Sequence, residues 1–133
     1  MDGQDLPALP KLRATPAEGR VALPDPGRHT APILAHGDME VRWFKPDGLD
    51  PQTPHDRDEL YFVVSGTGIF MRAHEAMPMG DDVSLPVLGE ERVTFTAGDV
   101  LFVPAGTVHR FEQTSPDFMT WIVFYGPEGG EHA

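Results

Sequence analysis

The sequence predicts an all-β fold, a two-sheet sandwich or small barrel, and three observations carry that prediction. Fourteen prolines and fourteen glycines are spread through 133 residues, which leaves little room for helices of more than about ten residues. Short apolar runs of strand length recur between Gly, Pro and Asp breaks. The runs near 59–64, 99–103 and 118–125 are apolar at both parities, as strands between two layers are.

Length and composition bound the rest. The chain is long enough for one domain with a real core and no covalent staples. It has no cysteine, which excludes disulfides, cysteine-held zinc, iron–sulfur sites and a thiolate nucleophile. A formal charge of -11 leaves too few cations to neutralise phosphates, so nucleic acid and anionic membrane surfaces are excluded as partners. No run approaches the roughly 18 apolar residues of a membrane span. The acidic, proline-rich start has no apolar signal region, so a cytoplasmic location is expected.

Residues 1–30 show no clean period and read as an extended arm or irregular segment, with Leu9, Leu12, Val21 and Leu23 as its contacts. Residues 31–35 form a short strand, and His36-Gly37-Asp38 a turn. Residues 39–45 alternate through Val41 and Trp43, the pattern of a half-buried strand. A proline-bounded connection then leads into 59–64, the clearest strand of the chain. Ser65-Gly66-Thr67-Gly68 reads as a turn whose glycines can take positive φ, with 69–72 as the hairpin partner. Residues 74–89 interrupt the rhythm, and a connection of that length is a lid or disorder; Met77 and Met79 suit an adaptable lid. Residues 92–96 alternate again, and 99–103 read as a strand buried on both sides. His109 leads out of a turn, and 118–125 form a last strand stopped by Gly126-Pro127. The chain thus divides into an arm (1–30), a β-barrel (31–127) and a loose tail (128–133).

Two stretches carry chemistry. In Pro54-His55-Asp56-Arg57-Asp58-Glu59-Leu60-Tyr61-Phe62-Val63, period-two alternation puts Glu59, Tyr61 and Val63 on one face. If that face points inward, a carboxylate stands in an apolar interior, which is costly unless it is paired or metal-bound. The opposite orientation, with 60, 62 and 64 as core, fits the composition as well. In the second stretch, Pro104-Ala105-Gly106-Thr107 makes a tight turn that presents His109 on a stiff scaffold. A half-buried structural histidine fits there too. Imidazole and carboxylate together are donors for divalent metals.

Taken together, the two stretches resemble the cupin family. Its first motif runs Gly, five residues, His-x-His, three or four residues, Glu, six residues, Gly; here Gly48 stands four residues ahead of Thr53, in the place of the first His, and His55, Glu59 and Gly66 match. Its second runs Gly, five residues, Pro-x-Gly, two residues, His, three residues, Asn; here Gly98, Pro104, Gly106 and His109 match, with Gln113 in the Asn position. The resemblance spans Gly48 to Gln113, half the chain. It implies a double-stranded β-helix, or jelly-roll barrel, with a metal held by His55, Glu59 and His109. Thr53 stands where a further histidine is expected and is a poor ligand for iron, nickel or zinc. Gln52, held between Pro51 and Pro54, is the candidate to replace it through its amide oxygen.

The resemblance leaves the metal open among iron, zinc, nickel and manganese. Two histidines and a carboxylate with open positions also describe the facial triad of non-haem iron oxygenases. The expected function is a metal-dependent enzyme, an oxygenase or an isomerase/lyase, acting on a small polar organic substrate. Tyr61 and His74 are then the candidate catalytic proton-transfer groups. The alternative is a non-catalytic module that binds or senses a small molecule. Phe44, Phe70, Phe102, Phe111 and Trp121 are pocket walls or plain core. Arg42 and Arg72 are expected at solvated strand edges, or else turned inward toward an anionic substrate. A homodimer is expected from the resemblance and the frequency of two-fold pairs.

Overall fold

The computed structural model describes residues 11–45, 55–76 and 87–131. Its elements run α1 (Pro16–Val21), β1 (Thr30–His36), β2 (Met39–Phe44), β3 (Asp58–Ser65), β4 (Thr67–Ala76), β5 (Val87–Thr96), β6 (Val100–Val103), β7 (Val108–Glu112) and β8 (Met119–Tyr125). The strands form two antiparallel sheets, one ordered β1-β2-β8-β3-β6 and the other β5-β4-β7. The all-β, two-sheet expectation holds.

The inward parities of both sheets fill the space between them. Phe44, Tyr61, Val63, Ile122 and Phe124 from the larger sheet meet Phe70, Phe95 and Phe111 from the smaller. Phe111 is the hub: its ring centroid lies 4.7 to 5.8 Å from those of Phe44, Tyr61, Phe70, Phe95 and Phe118. Offset and edge-on contacts of this kind add to the area each ring removes from water. They also stiffen β7 two residues beyond His109.

Several local expectations change. The chain does not fold back at Gly66 as a hairpin, because β3 and β4 lie in different sheets. Gly66, at φ +89, turns a corner between them, and a Cβ there would stand 2.5 Å from the Phe118 backbone. β6 is an edge strand rather than a doubly buried one: Leu101 and Val103 point inward, whereas Val100 and Phe102 are exposed. The presumed 74–89 loop is shorter, since His74 pairs with Gly89 and Ala76 with Val87 across β4 and β5. Met77 and Met79 lie outside the described residues.

The two ends are also more ordered than their composition predicts. Thr15 caps α1 by accepting from the Glu18 N–H, and Pro16 occupies the first turn, where its missing donor costs nothing. Gly19 lets the helix lie on Trp43; a Cβ there would be 2.3 Å from the indole. Leu12, Val21 and Leu23, the expected contacts, are exposed, and Leu9 is outside the described residues. At the other end, Gly129 N–H donates to the Asp56 carbonyl at 2.7 Å and Glu131 N–H to Asp58 Oδ2 at 2.9 Å. That part of the tail is tied down, not loose.

Arg42 departs most from expectation. Strand β2 buries Arg42, Trp43 and Phe44 in succession, because α1 covers Trp43 while the two flanking positions face the core. Arg42 is not solvated. Its guanidinium donates to Asp25 at 2.6 Å, Glu40 at 2.9 Å, and both Thr30 Oγ1 and the Thr30 carbonyl at 2.7 and 2.9 Å. Every arm of the fork is used within the chain, so it offers nothing to an anionic substrate. Arg72 braces the free edge of β6 by donating to the Phe102 carbonyl at 2.8 Å, beside a cleft of about 440 Å³ between β6 and the β4/β5 face.

Candidate metal centre

Glu59 enters the interior because β3 pairs in register with both β6 and β8, through Val103 and Phe124 at this position. That register sends 59, 61 and 63 inward, and all three are buried. The inward reading of the strand is therefore the one the fold adopts. Glu59 is 0% exposed. His109 arrives from the other sheet on β7, 1% exposed, and His55 from the segment just ahead of β3.

The three side chains converge. His109 Nε2 is 3.1 Å from Glu59 Oε1, and His55 Nε2 is 3.8 Å from Glu59 Oε2. One donor atom from each residue lies within 4.8 Å of the others. Metal–ligand bonds of about 2.0–2.2 Å set donor atoms roughly 3–4 Å apart, so the spacing suits a single ion. The imidazoles of His55 and His109 are tilted 47° to each other with centroids 5.4 Å apart. Phe124 supports His55 edge-on at 4.9 Å, and Arg57 lies over the Phe124 ring at 5.2 Å.

Proton placement decides what this arrangement does. His109 Nδ1 lies 2.9 Å from the Thr107 carbonyl. A carbonyl can only accept, so Nδ1 carries a hydrogen, and whenever the ring is neutral its Nε2 lone pair faces Glu59. Both Glu59 oxygens are buried and, among the described residues, neither finds a hydrogen-bond donor. A buried carboxylate facing that lone pair is unfavourable unless a second proton on Nε2 or a metal ion lies between them. The residues present fit a divalent metal. Burial, above all, pushes the His55 pKa below its ordinary value; His109 and Arg28 add to that while Glu59 opposes it. His55 is accordingly a neutral donor at neutral pH.

The other candidates separate. Tyr61 is fully buried on the Glu59 face of β3, its ring against Phe70 and Phe111 and 6.2 Å from that of His109. Gln52 and Thr53 lie outside the described residues, as does the side chain of His74. Phe44, Phe70 and Phe111 are core rings; Phe102 points outward and Trp121 packs on Trp43 outside the main core, so neither lines the interior. Thr107, which orients His109, and Asp58, which grips its turn, were not singled out from the sequence. Their signals were faint: an acid adjacent to a buried acid, and the residue following Pro-Ala-Gly.

No protein-family model matches the chain. Over 98 residues it is 35% identical to an uncharacterized protein of Streptomyces coelicolor, covering 72% of this chain and 78% of that one. Over 76 residues it is 38% identical to acireductone dioxygenase 1 of Pectobacterium atrosepticum, covering 56% of this chain but 37% of that protein. The chain thus spans little more than a third of the dioxygenase. Among solved structures, a Cupin 2 conserved barrel domain protein from Salinispora arenicola superposes with a TM-score of 0.53 at 16% identity, covering 90% of this chain and 91% of its own.

Proposed function

Since the chain belongs to the cupin superfamily, we propose that it is a metal-dependent enzyme, an oxygenase or an isomerase/lyase, acting on a small polar organic substrate. The observation that carries this reading is the pair of buried, unbonded Glu59 oxygens between two imidazoles. His55, Glu59 and His109 would hold the ion, which when bound supplies Lewis acidity or dioxygen activation. The 38% identity to acireductone dioxygenase supports the oxygenase branch, and thereby iron over zinc, nickel or manganese.

The chain's own groups do the remaining work. The Thr107 carbonyl orients the His109 ring, while Phe124 backs His55 and Phe70 lies beside His109. Gln52 is proposed as a fourth ligand. Tyr61 and His74 are proposed for proton transfer; the place of Tyr61 on the Glu59 face supports its part. A homodimer in the cytoplasm completes the reading, with the exposed Phe62, Val100 and Phe102 on the outer face of the larger sheet in support of the pairing. Thr53, standing where a histidine is expected, favours the second reading, a module that binds a small molecule without turnover.

Elemental analysis of protein purified without chelator tests the centre. Bound metal at about one ion per chain is expected, with His109→Ala losing it while remaining folded. Unchanged metal content in that variant sinks the assignment. Oxygen uptake with candidate enediol and organic-acid substrates then separates enzyme from binding module.

A further inference from the structure

Asp58 has no part in the donor set, yet it is 5% exposed, and among the described residues no cation pairs with it. An acid in that position costs several kcal/mol unless its oxygens are occupied. Both are. Oδ1 accepts from the Ala105 N–H at 2.9 Å and Oδ2 from the Glu131 N–H at 2.9 Å. Backbone donors to a carboxylate make short, charge-assisted bonds, and these two come from 47 and 73 residues away.

The first bond bears on the metal centre. Ala105 belongs to the turn between β6 and β7, the turn that carries Thr107 and ends at His109. The same turn is held a second time by Gly106 N–H donating to the His55 carbonyl at 2.7 Å. Two attachments, one at each end of the segment 55–58, thus lock the His109 turn onto the segment that supplies His55 and Glu59. Asp58 and Glu59 are neighbours pointing to opposite faces of β3, so any shift at Asp58 passes through one peptide to the Glu59 carboxylate.

We infer that Asp58 is a positioning residue for the metal centre: by gripping the Ala105 N–H it sets the distance between Glu59 and His109. The inference rests on the metal-centre reading above. A residue that only held the C-terminal tail would need one oxygen, on Glu131. The other oxygen is spent on the turn that orients a ligand.

Cobalt(II) titration of the full chain, stripped with chelator and followed by visible absorption, tests this. Asp58→Ala is expected to bind cobalt about tenfold or more weakly and to show an altered d–d spectrum, which reports ligand geometry. Asp58→Asn keeps the shape but turns an amide N–H₂ toward one of the two donors; it is expected to fall between, and it decides the matter if the alanine variant does not fold. Wild-type affinity and spectrum in the folded variant overturn the inference. His109→Ala separates the two levels. If it too binds cobalt like the wild type, the centre itself is wrong and the inference falls with it; if it loses cobalt while the Asp58 variants do not, only the role of Asp58 is wrong.

Discussion

His109 Nε2 and Glu59 Oε1 stand 3.1 Å apart with no hydrogen bond between them. The distance is that of a good bond, and since Nδ1 already gives its hydrogen to the Thr107 carbonyl, the gap is bridged only by a second proton on Nε2 or by a metal ion. With the ring neutral and no ion bound this is an electrostatic fault in the core; with an ion between them it becomes two ligands of one site.

Glu59→Gln follows directly. The neutral amide can donate to the Nε2 lone pair and removes the buried charge. With the His109 ring neutral, the metal-free variant is expected to be more stable than the metal-free wild type by about 1–3 kcal/mol, while metal binding is lost. Thermal unfolding in the presence of chelator measures it, and a destabilised metal-free variant would contradict the account.

Gly19→Ala tests the seat of α1. In a free helix alanine gains about 1 kcal/mol over glycine. Here the added methyl would stand 2.3 Å from the Trp43 ring, and overpacking of about 1–3 kcal/mol wins. The expected result is net destabilisation with a shift in tryptophan emission as α1 lifts from the sheet.

Arg42→Ala leaves Glu40, Asp25 and Thr30 without their shared donor. Loss of one partner from a buried pair costs about 3–5 kcal/mol; Asp25 and Glu40 keep access to water, so the low end is expected in denaturant titration. Arg42→Lys should not restore it, since a single ammonium cannot replace the fork.

Acid stability has a traceable source. Hydrogen bonds from Arg92, then Arg110, hold the Glu112 carboxyl below the usual carboxylate range. Its unfolded form therefore takes up a proton at higher pH than its folded form. The contribution is complete above the unfolded carboxyl value, about 4.3, and is lost as pH falls through the lower folded one. Glu112→Gln should flatten the dependence of unfolding temperature on pH below that point and leave it unchanged near pH 7.

If the proposed dimer uses the outer face of the larger sheet, Phe62→Glu with Phe102→Glu should give monomers in sedimentation at concentrations where the wild type pairs. A wild type that is itself monomeric removes that part of the proposal.

What the sequence revealed divides along physical lines. His55, Glu59 and His109 were legible because fixed spacing around Pro104, Gly106 and Gly66 carries them, and the strands because their apolar runs are bounded by turn residues. The face of β3 was not legible on its own: both parities are apolar, and only pairing with β6 and β8 settles which enters the core. Edge position misled for 99–103, since an edge strand whose outer face stays apolar reads like a buried one. Arg42 was misjudged because its three acceptors come from residues 25, 30 and 40, and nothing local marks a buried guanidinium. The anchored tail failed for the same reason, its partner Asp58 lying 73 residues earlier.

The two acids that open β3 have one more consequence. Because side chains alternate strictly along a strand, a slip of β3 by one residue against β6 and β8 would exchange their faces. Asp58 would then look into the barrel and Glu59 out toward the turn. The interior would still contain a carboxylate, one methylene shorter, and the outer face would still contain an acceptor, one methylene longer. A strand so built fails gradually under a slip of register, keeping the chemical character of each face while losing the spacing that lets a small ion sit between two rings.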